Sequence, residues 1–411
     1  MVCHVKKAFC RAGVVVLAGL LMVGALCPPG SAAPSAVRAS ASGSTDRTTW
    51  AERAFTSYAA LQRHLYLGAD QHHLYLEKYP HDPADNAYSY LWPMREATAA
   101  TIDLSIVPGT GSRFRSDVRD RFAGLSAYLN PDHDPPGYAS YVVPPLGGGG
   151  DLFYDDNSIV GLEFVRRYLL ENRLADRRRA EQIFDVLVGG WDTDTSHACP
   201  GGMFWVDATW TSIRAANVTG LTAELAAHLY ELTRDKSYLD WAERLYDWNR
   251  TCLRSSEGLY QNDISLDGTV NPTLWIYNSG AMIGAGALLH RATGDPRYLA
   301  QARTDAAAAL DYWTDGNRYY DQPAVFNAIF FKNLMLLDSV RHDSRYRAVV
   351  EAYAEHVWGH NRDAALGLFR FPPSGGGPYD PSYRPETLEQ AAVIQTFALL
   401  AWDRGHYRFA A

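Results

Sequence analysis

Apolar residues recur along this chain at the interval of a helix. Val218, Leu221, Thr222, Leu225, Leu229 and Leu232 lie three or four residues apart, the spacing that lines one face of an α-helix. Tyr238, Trp241, Leu245, Trp248 and Cys252 repeat the pattern. Asp235 stands between the two runs, where a carboxylate can accept hydrogen bonds from the free amides of a helix's first turn. Two helices joined by a short turn make a hairpin. The junction returns as Asp295-Pro-Arg-Tyr298-Leu299 and as Asp343-Ser-Arg-Tyr346, an internal repeat of about 50 to 60 residues. Helices are predicted near 48–66, 86–103, 113–129, 157–172, 176–189, 213–233, 235–252, 278–293, 295–313, 322–339, 343–360 and 385–403, which makes twelve in six hairpins.

Strand signals are few, and runs such as Tyr141-Val142-Val143 read as loop. Long connections at 130–155, 190–212, 253–277 and 361–384 are rich in Gly, Pro, Asp and aromatic residues. Long ordered loops in a compact domain usually carry function. The expected fold is therefore all-α, six helical hairpins closing into an (α/α)6 barrel with the loops around its mouth. The competing arrangement, an open solenoid, leaves hydrophobic end helices to be capped.

Composition changes this picture at the chain's N-terminal end. With 411 residues, 47% of them hydrophobic, the chain can bury a large core. Its net charge of −8 is spread without a basic stripe, which argues against nucleic acid and anionic membranes as partners. Lys6, Lys7 and Arg11 precede an apolar run, Val14 to Leu26, and the small residues Ser31-Ala32-Ala33. That is the anatomy of a secretory signal over 1–33, too short in its apolar part for a stable membrane span. A Ser-, Ala- and Gly-rich spacer is expected over 34–47, then a barrel domain over 48–411. Removing the signal leaves two cysteines, Cys199 and Cys252. In an oxidising compartment they either pair or remain two buried thiols.

Candidate chemistry centres on Asp155 and Asp156, which follow Gly147 to Gly150 and enter an amphipathic helix marked by Val160, Phe164 and Tyr168. A chain of this length contains roughly one or two such pairs by chance, and an aspartate here can simply cap the helix. The setting nevertheless suits catalysis. A helix N-terminus holds one carboxylate ionised, and like-charge repulsion pushes its neighbour towards protonation. Split protonation is what glycosidic bond cleavage requires. Trp191, Phe204, Trp205, Trp210, Trp275 and Tyr277 supply faces for stacking on sugar rings, or for ordinary packing. No His-Glu-x-x-His helix or Cys-x-x-Cys pair occurs for zinc, and the glycine run lacks the Lys-Ser/Thr of a phosphate loop. Asp192 and Asp194 have no downstream Glu to complete a calcium loop, and no cofactor is expected.

The sequence resembles glycoside hydrolase family 76, the bacterial endo-α-1,6-mannanases and their fungal cell-wall relatives. The matching pieces are Tyr154-Asp155-Asp156-Asn157 with Gly161-Leu162, Gly201-Gly202-Met203-Phe204-Trp205, and Tyr277-Asn278-Ser279-Gly280-Ala281-Met282-Ile283-Gly284-Ala285. Thr293-Gly294-Asp295, Phe326-Asn327-Ala328-Ile329-Phe330 and Glu389-Gln390-Ala391-Ala392 follow in order. The resemblance implies an (α/α)6 barrel and retaining cleavage of α-1,6-linked mannose. It assigns Asp155 as nucleophile and Asp156 as general acid/base; the expected sugar contacts are Tyr154, Asn157, Phe204, Trp205, Asp207, Tyr277 and Asn278. Ser158-Ile159-Val160 and Met203-Phe204-Trp205 depart from the family's usual, more aromatic residues there. The expected partner is an α-mannan polysaccharide or oligosaccharide, acted on by a secreted monomer without stable membrane insertion. Rival readings are a transglycosylase, an unsaturated glucuronyl hydrolase, a sugar epimerase, which would use a His absent from the Asp-Asp segment, and a non-catalytic mannan-binding protein.

Overall fold

The computed structural model describes residues 38–372 and 380–410. The expected export signal over 1–33 lies outside the described residues, as does the expected spacer up to residue 37. Among the described residues there are twelve α-helices. They are α1 (Arg38–His64), α2 (Leu91–Ile106), α3 (Arg115–Leu125), α4 (Tyr154–Glu171), α5 (Leu174–Val188) and α6 (Ala216–Thr233), then α7 (Lys236–Cys252), α8 (Ile276–Thr293), α9 (Pro296–Thr314), α10 (Ala324–Val340), α11 (Ser344–His360) and α12 (Thr387–Ala401).

The repeated junctions work as their aspartates predict. Asp235 accepts from the Ser237 amide at 2.9 Å, Asp295 from that of Arg297 at 2.8 Å, and Asp343 from that of Arg345 at 3.1 Å. Each carboxylate satisfies an amide that the first helical turn leaves free. Just before two of them the preceding helix stops on a left-handed residue, Arg234 (φ 62°) or Gly294 (φ 73°). The chain thus reverses within two residues, and successive helices run antiparallel.

Alternate helices then sort into two layers. The even-numbered helices pack in sequence, α2 on α4, α4 on α6, α6 on α8, α8 on α10, α10 on α12, and α12 returns to α2. This closed ring is the inner wall of an (α/α)6 barrel, so there is no hydrophobic end helix as in an open solenoid. The odd-numbered helices form the outer layer. α1 closes the seam, with Trp50 stacked on Phe397 of α12 and Tyr58 donating to Asp117 of α3 at 3.0 Å. The layers follow from sequence pattern: α7 buries one face through Leu245, Tyr246 and Trp248, whereas α8 is buried almost throughout, as amphipathic and all-round apolar helices must be. Small residues let inner helices approach. A Cβ on Gly280 would lie 2.8 Å from the Phe330 Cα of α10, closer than two packed carbons can sit.

The barrel axis is plugged by ions. Glu163 of α4 accepts from Arg95 of α2 at 2.7 Å and from Arg166 at 2.8 Å; Arg166 also pairs with Asp103, which Lys332 of α10 approaches at 2.9 Å. Glu96 accepts from Arg95 and from Gln395 of α12. All of these side chains are buried, and the remaining void among them is about 20 Å³. The mouth above is therefore a cup and not a pore.

The long connections carry short strands: β1 (Leu129–Asn130), β2 (Gly137–Tyr138), β3 (Leu152–Phe153), β4 (Val206–Asp207), β5 (Arg214–Ala215), β6 (Gln261–Ile264) and β7 (Val270–Leu274). They pair antiparallel as β1–β2, β3–β4 and β5–β6–β7. Several helix starts differ from expectation, α2 at Leu91 instead of 86 and α6 at Ala216 instead of 213 among them. α1 is described from Arg38, so helix already covers part of the expected spacer. α4 begins at Tyr154, before the predicted start at residue 157, because the β3–β4 pairing ends at Phe153 and the chain turns directly into the helix.

Cys199 and Cys252 form a disulfide with their Cα atoms 6.2 Å apart. It ties the loop after α5 to the end of α7. Closing 53 residues of sequence separation, its loss through Cys252→Ala is expected to cost about 2–4 kcal/mol. Urea unfolding of the variant beside oxidised wild type measures it.

Candidate active site

Because neighbouring helices alternate in direction, all inner helices begin at the same end of the barrel. The second residue of four of them, Trp92, Asp155, Asn217 and Tyr277, and the third of α10, Phe326, line one cavity of about 280 Å³. None of the inner helices has a side-chain N-cap hydrogen bond, in contrast to the aspartate caps of α7, α9 and α11. Their positive dipole ends therefore all face this end of the barrel and favour negative charge there.

Asp155 and Asp156 form the floor, in the first turn of α4. Asp155 Oδ2 accepts from Trp205 Nε1 and from Asn217 Nδ2, each at 2.8 Å, while its Oδ1 accepts from the Asp156 amide at 2.9 Å. Burial pushes the Asp155 carboxyl up and these three donors offset only part of that, so it stays above its ordinary value. Asp156 has no comparable donors. Burial and then the charge of Asp155 push it well above the ordinary carboxylate range, with Arg95 drawing it only partly down. Since each donor bond favours the ionised form, the shared charge settles on Asp155 and the proton on Asp156.

One wall is built by the loop from 190 to 215. Gly201 (φ 98°) and Gly202 (φ 87°) take backbone angles open mainly to glycine, and a Cβ on Gly202 would sit 2.3 Å from the Trp248 ring. The loop lies flat on Trp248 and delivers Trp205 to Asp155. Buried Arg214 locks it by donating to the carbonyls of Cys199, Ala198, Gly201 and Ser265. The opposite wall is aromatic. Tyr277 stacks on Phe326 with centroids 4.0 Å apart and planes within 5°, while Trp275 and Trp92 flank the same ring at 5.4 and 5.9 Å. Trp92 is aimed by its indole bond to Glu96, 3.1 Å. Flat apolar faces around two acids suit a pyranose ring. Among the described residues no group of three or more His, Cys, Asp or Glu could hold a metal ion.

The family model for glycosyl hydrolase family 76 matches residues 49–402. The chain belongs to that family. Mannan endo-1,6-alpha-mannosidase DCW1 of Candida glabrata is 32% identical over 123 residues, 28% of this chain and 27% of that protein. The chain thus aligns with about a quarter of that curated relative's length. A family 76 mannosidase of Bacteroides thetaiotaomicron superposes with a TM-score of 0.74 at 23% identity, covering 86% of this chain and 98% of its own. The α-1,6-mannanase GH76A of Salegentibacter sp. HEL1_6 superposes at 0.67 with 20% identity, covering 86% of this chain and 99% of its own. That structure is an inactive variant with two consecutive aspartates replaced by asparagine, in complex with α-1,6-mannotriose.

Within this family 76 chain the structure brings together only some of the predicted site residues. Asp155, Asp156, Trp205 and Tyr277 line the cavity. Tyr154, Phe204 and Asp207 line a separate surface groove with Thr209, Thr211 and Ser212, and Asp207 pairs with His133 at 3.0 Å. Asn157 is fully buried and does not line the cavity; it accepts from the Tyr138 amide and donates to the carbonyls of Tyr138 and Phe153, which ties the start of α4 to the loop before it. Asn278 is likewise fully buried within α8 and does not line the cavity. Sequence reasoning missed Trp92, Asn217 and Asn262, which do. The usable signal was their place: Trp92 and Asn217 occupy the same second position of an inner helix as Asp155.

Proposed function

We propose that this protein is a secreted, retaining endo-α-1,6-mannanase. The observation that carries the reading is the split pair Asp155 and Asp156 at the floor of an aromatic cup. The names of the yeast and bacterial relatives support α-1,6-linked mannan as substrate, and the consecutive aspartates replaced in the inactive Salegentibacter variant support the pair as its catalytic machinery.

A mannosyl ring enters between Trp205 and the wall of Trp92, Trp275 and Tyr277, exchanging water for aromatic faces. Asp155, ionised and fixed by three donors, attacks the anomeric carbon. The C–O bond to the next sugar breaks as Asp156 gives its proton to the departing oxygen. Asp155 is then esterified to mannose and Asp156 is an anion. Asp156 now takes a proton from water, whose oxygen attacks the same carbon and frees Asp155, so both residues return to their starting states. Two displacements leave the anomeric configuration as it began. Export rests on the N-terminal signal anatomy of residues 1–33. Among the described residues no helix is long and apolar enough to cross a membrane.

Incubation with linear α-1,6-mannan is expected to release reducing ends steadily, while β-1,4-mannan releases none. Absence of reducing ends from the α-1,6 polymer overturns the reading.

A further inference from the structure

We propose that Trp210 is the platform of an additional sugar subsite outside the catalytic cavity, where a more distant mannosyl residue of a long chain stacks on its exposed ring. The proposal rests on the α-mannanase reading above. Trp210 is 57% exposed, a large apolar side chain left facing solvent. It is nonetheless fixed. Its indole Nε1 donates to Asp151 Oδ2 at 2.8 Å, and the ring packs edge-on against Trp205, with centroids 5.8 Å apart at 84°, and against Phe153 at 6.3 Å. Exposed tryptophan is costly in water, and one held rigid by a hydrogen bond loses little entropy when a ligand covers it.

The location ties the platform to the chemistry. The β3–β4 ribbon pairs Phe153 with Val206 and Leu152 with Asp207. One strand of it runs straight into Asp155 and Asp156, and the other leads to Trp210. The same ribbon therefore sets the position of both, and Trp205 bridges them, bonding Asp155 with its nitrogen and touching Trp210 with its ring. A polymer whose scissile bond lies over the aspartates and whose chain leaves past Trp205 meets Trp210 next. The partner chemistry is an unsubstituted pyranose face, which an α-1,6-linked backbone presents on every residue. Rows of such faces give affinity without demanding a particular branch.

The test compares Trp210→Ala, Trp210→Phe and Asp151→Ala with wild type on a ladder of linear α-1,6-mannooligosaccharides from the disaccharide upward. For long chains Trp210→Ala is expected to lower kcat/KM about tenfold, the loss of one stacked ring, mainly through KM. Rates on the shortest cleaved substrate and the pH profile stay at wild-type values. Trp210→Phe keeps part of the long-chain advantage, and Asp151→Ala, which frees the ring, loses part of it. An equal fall at every chain length, or a moved pH profile, overturns the subsite in favour of a packing role on Trp205. So does no fall at any length. If wild type cleaves none of the ladder, it is the underlying mannanase reading that falls.

Discussion

Asp155→Asn is expected to remove α-1,6-mannan hydrolysis, by roughly 10⁴-fold or more in kcat, the scale on which deleting an enzymatic nucleophile acts. The amide cannot form the glycosyl ester. Nor can it satisfy the donors from Trp205, Asn217 and the Asp156 amide that now converge on a carboxylate. Asp156→Asn removes proton transfer and is expected to cost about 10²–10⁴-fold on mannan. It should spare the first step with aryl mannosides whose leaving group needs no proton, and added azide should rescue turnover by attacking the intermediate without base assistance. The pH dependence follows from the same assignment. Activity needs Asp155 ionised and Asp156 protonated, so kcat/KM rises as Asp155 loses its proton and falls as Asp156 loses its own. Because burial and mutual repulsion push Asp156 well up, the alkaline fall should lie far above an ordinary carboxylate pKa. In Asp156→Asn that alkaline limb disappears. A pH-rate series on wild type and both variants reads all of this; an unchanged alkaline limb in Asp156→Asn removes the acid from its assigned role.

Glu163→Leu is expected to destabilise the fold by about 3–5 kcal/mol, the cost of leaving buried charges without their partner. Glu163 holds Arg95 and Arg166 together on the barrel axis, and without it two buried guanidiniums lose their shared carboxylate. Burial alone would raise its carboxyl, but Arg166, Arg95 and Lys332 outweigh burial and hold it below the usual range. A carboxyl depressed in the folded state contributes stability above its unfolded pKa and loses it as pH falls through the folded value. The wild type should therefore lose stability in acid more steeply than the variant, which has less to lose. Urea unfolding at neutral and acid pH measures both effects. Equal stability of the two proteins at neutral pH would show that the axial ions hold nothing together. The arrangement also bears on catalysis, since Arg95 in this network is the one cation that draws the Asp156 proton affinity down.

The fold was legible because its signals are local. Helical periodicity and aspartates such as Asp235 and Asp295 mark starts and turns within a few residues of one another, and twelve alternating helices then leave little choice but a ring. The acid pair of the cavity was legible for the same reason, as two carboxylates at the start of one helix. Other parts of the cup were not. Trp92, Asn217 and Asn262 come from elements far apart in sequence, and only ring closure brings them to one cavity. Adjacency to a motif does not by itself place a side chain in the cup. Asn157 sits one residue after Asp156, yet the roughly 100° between successive helix positions turns it to the loop carrying Tyr138, and Asn278, next to Tyr277, is fully buried. The exposed Asp207 lies outside the cavity, paired with His133 at 3.0 Å.

Double displacement by Asp155 and Asp156 dictates which anomer is released first. Proton NMR of linear α-1,6-mannan, followed from the moment of enzyme addition and before mutarotation mixes the forms, should show new reducing ends as the α-anomer. First appearance of the β-anomer would mean that water attacks in a single displacement, and the role given to Asp155 would be wrong.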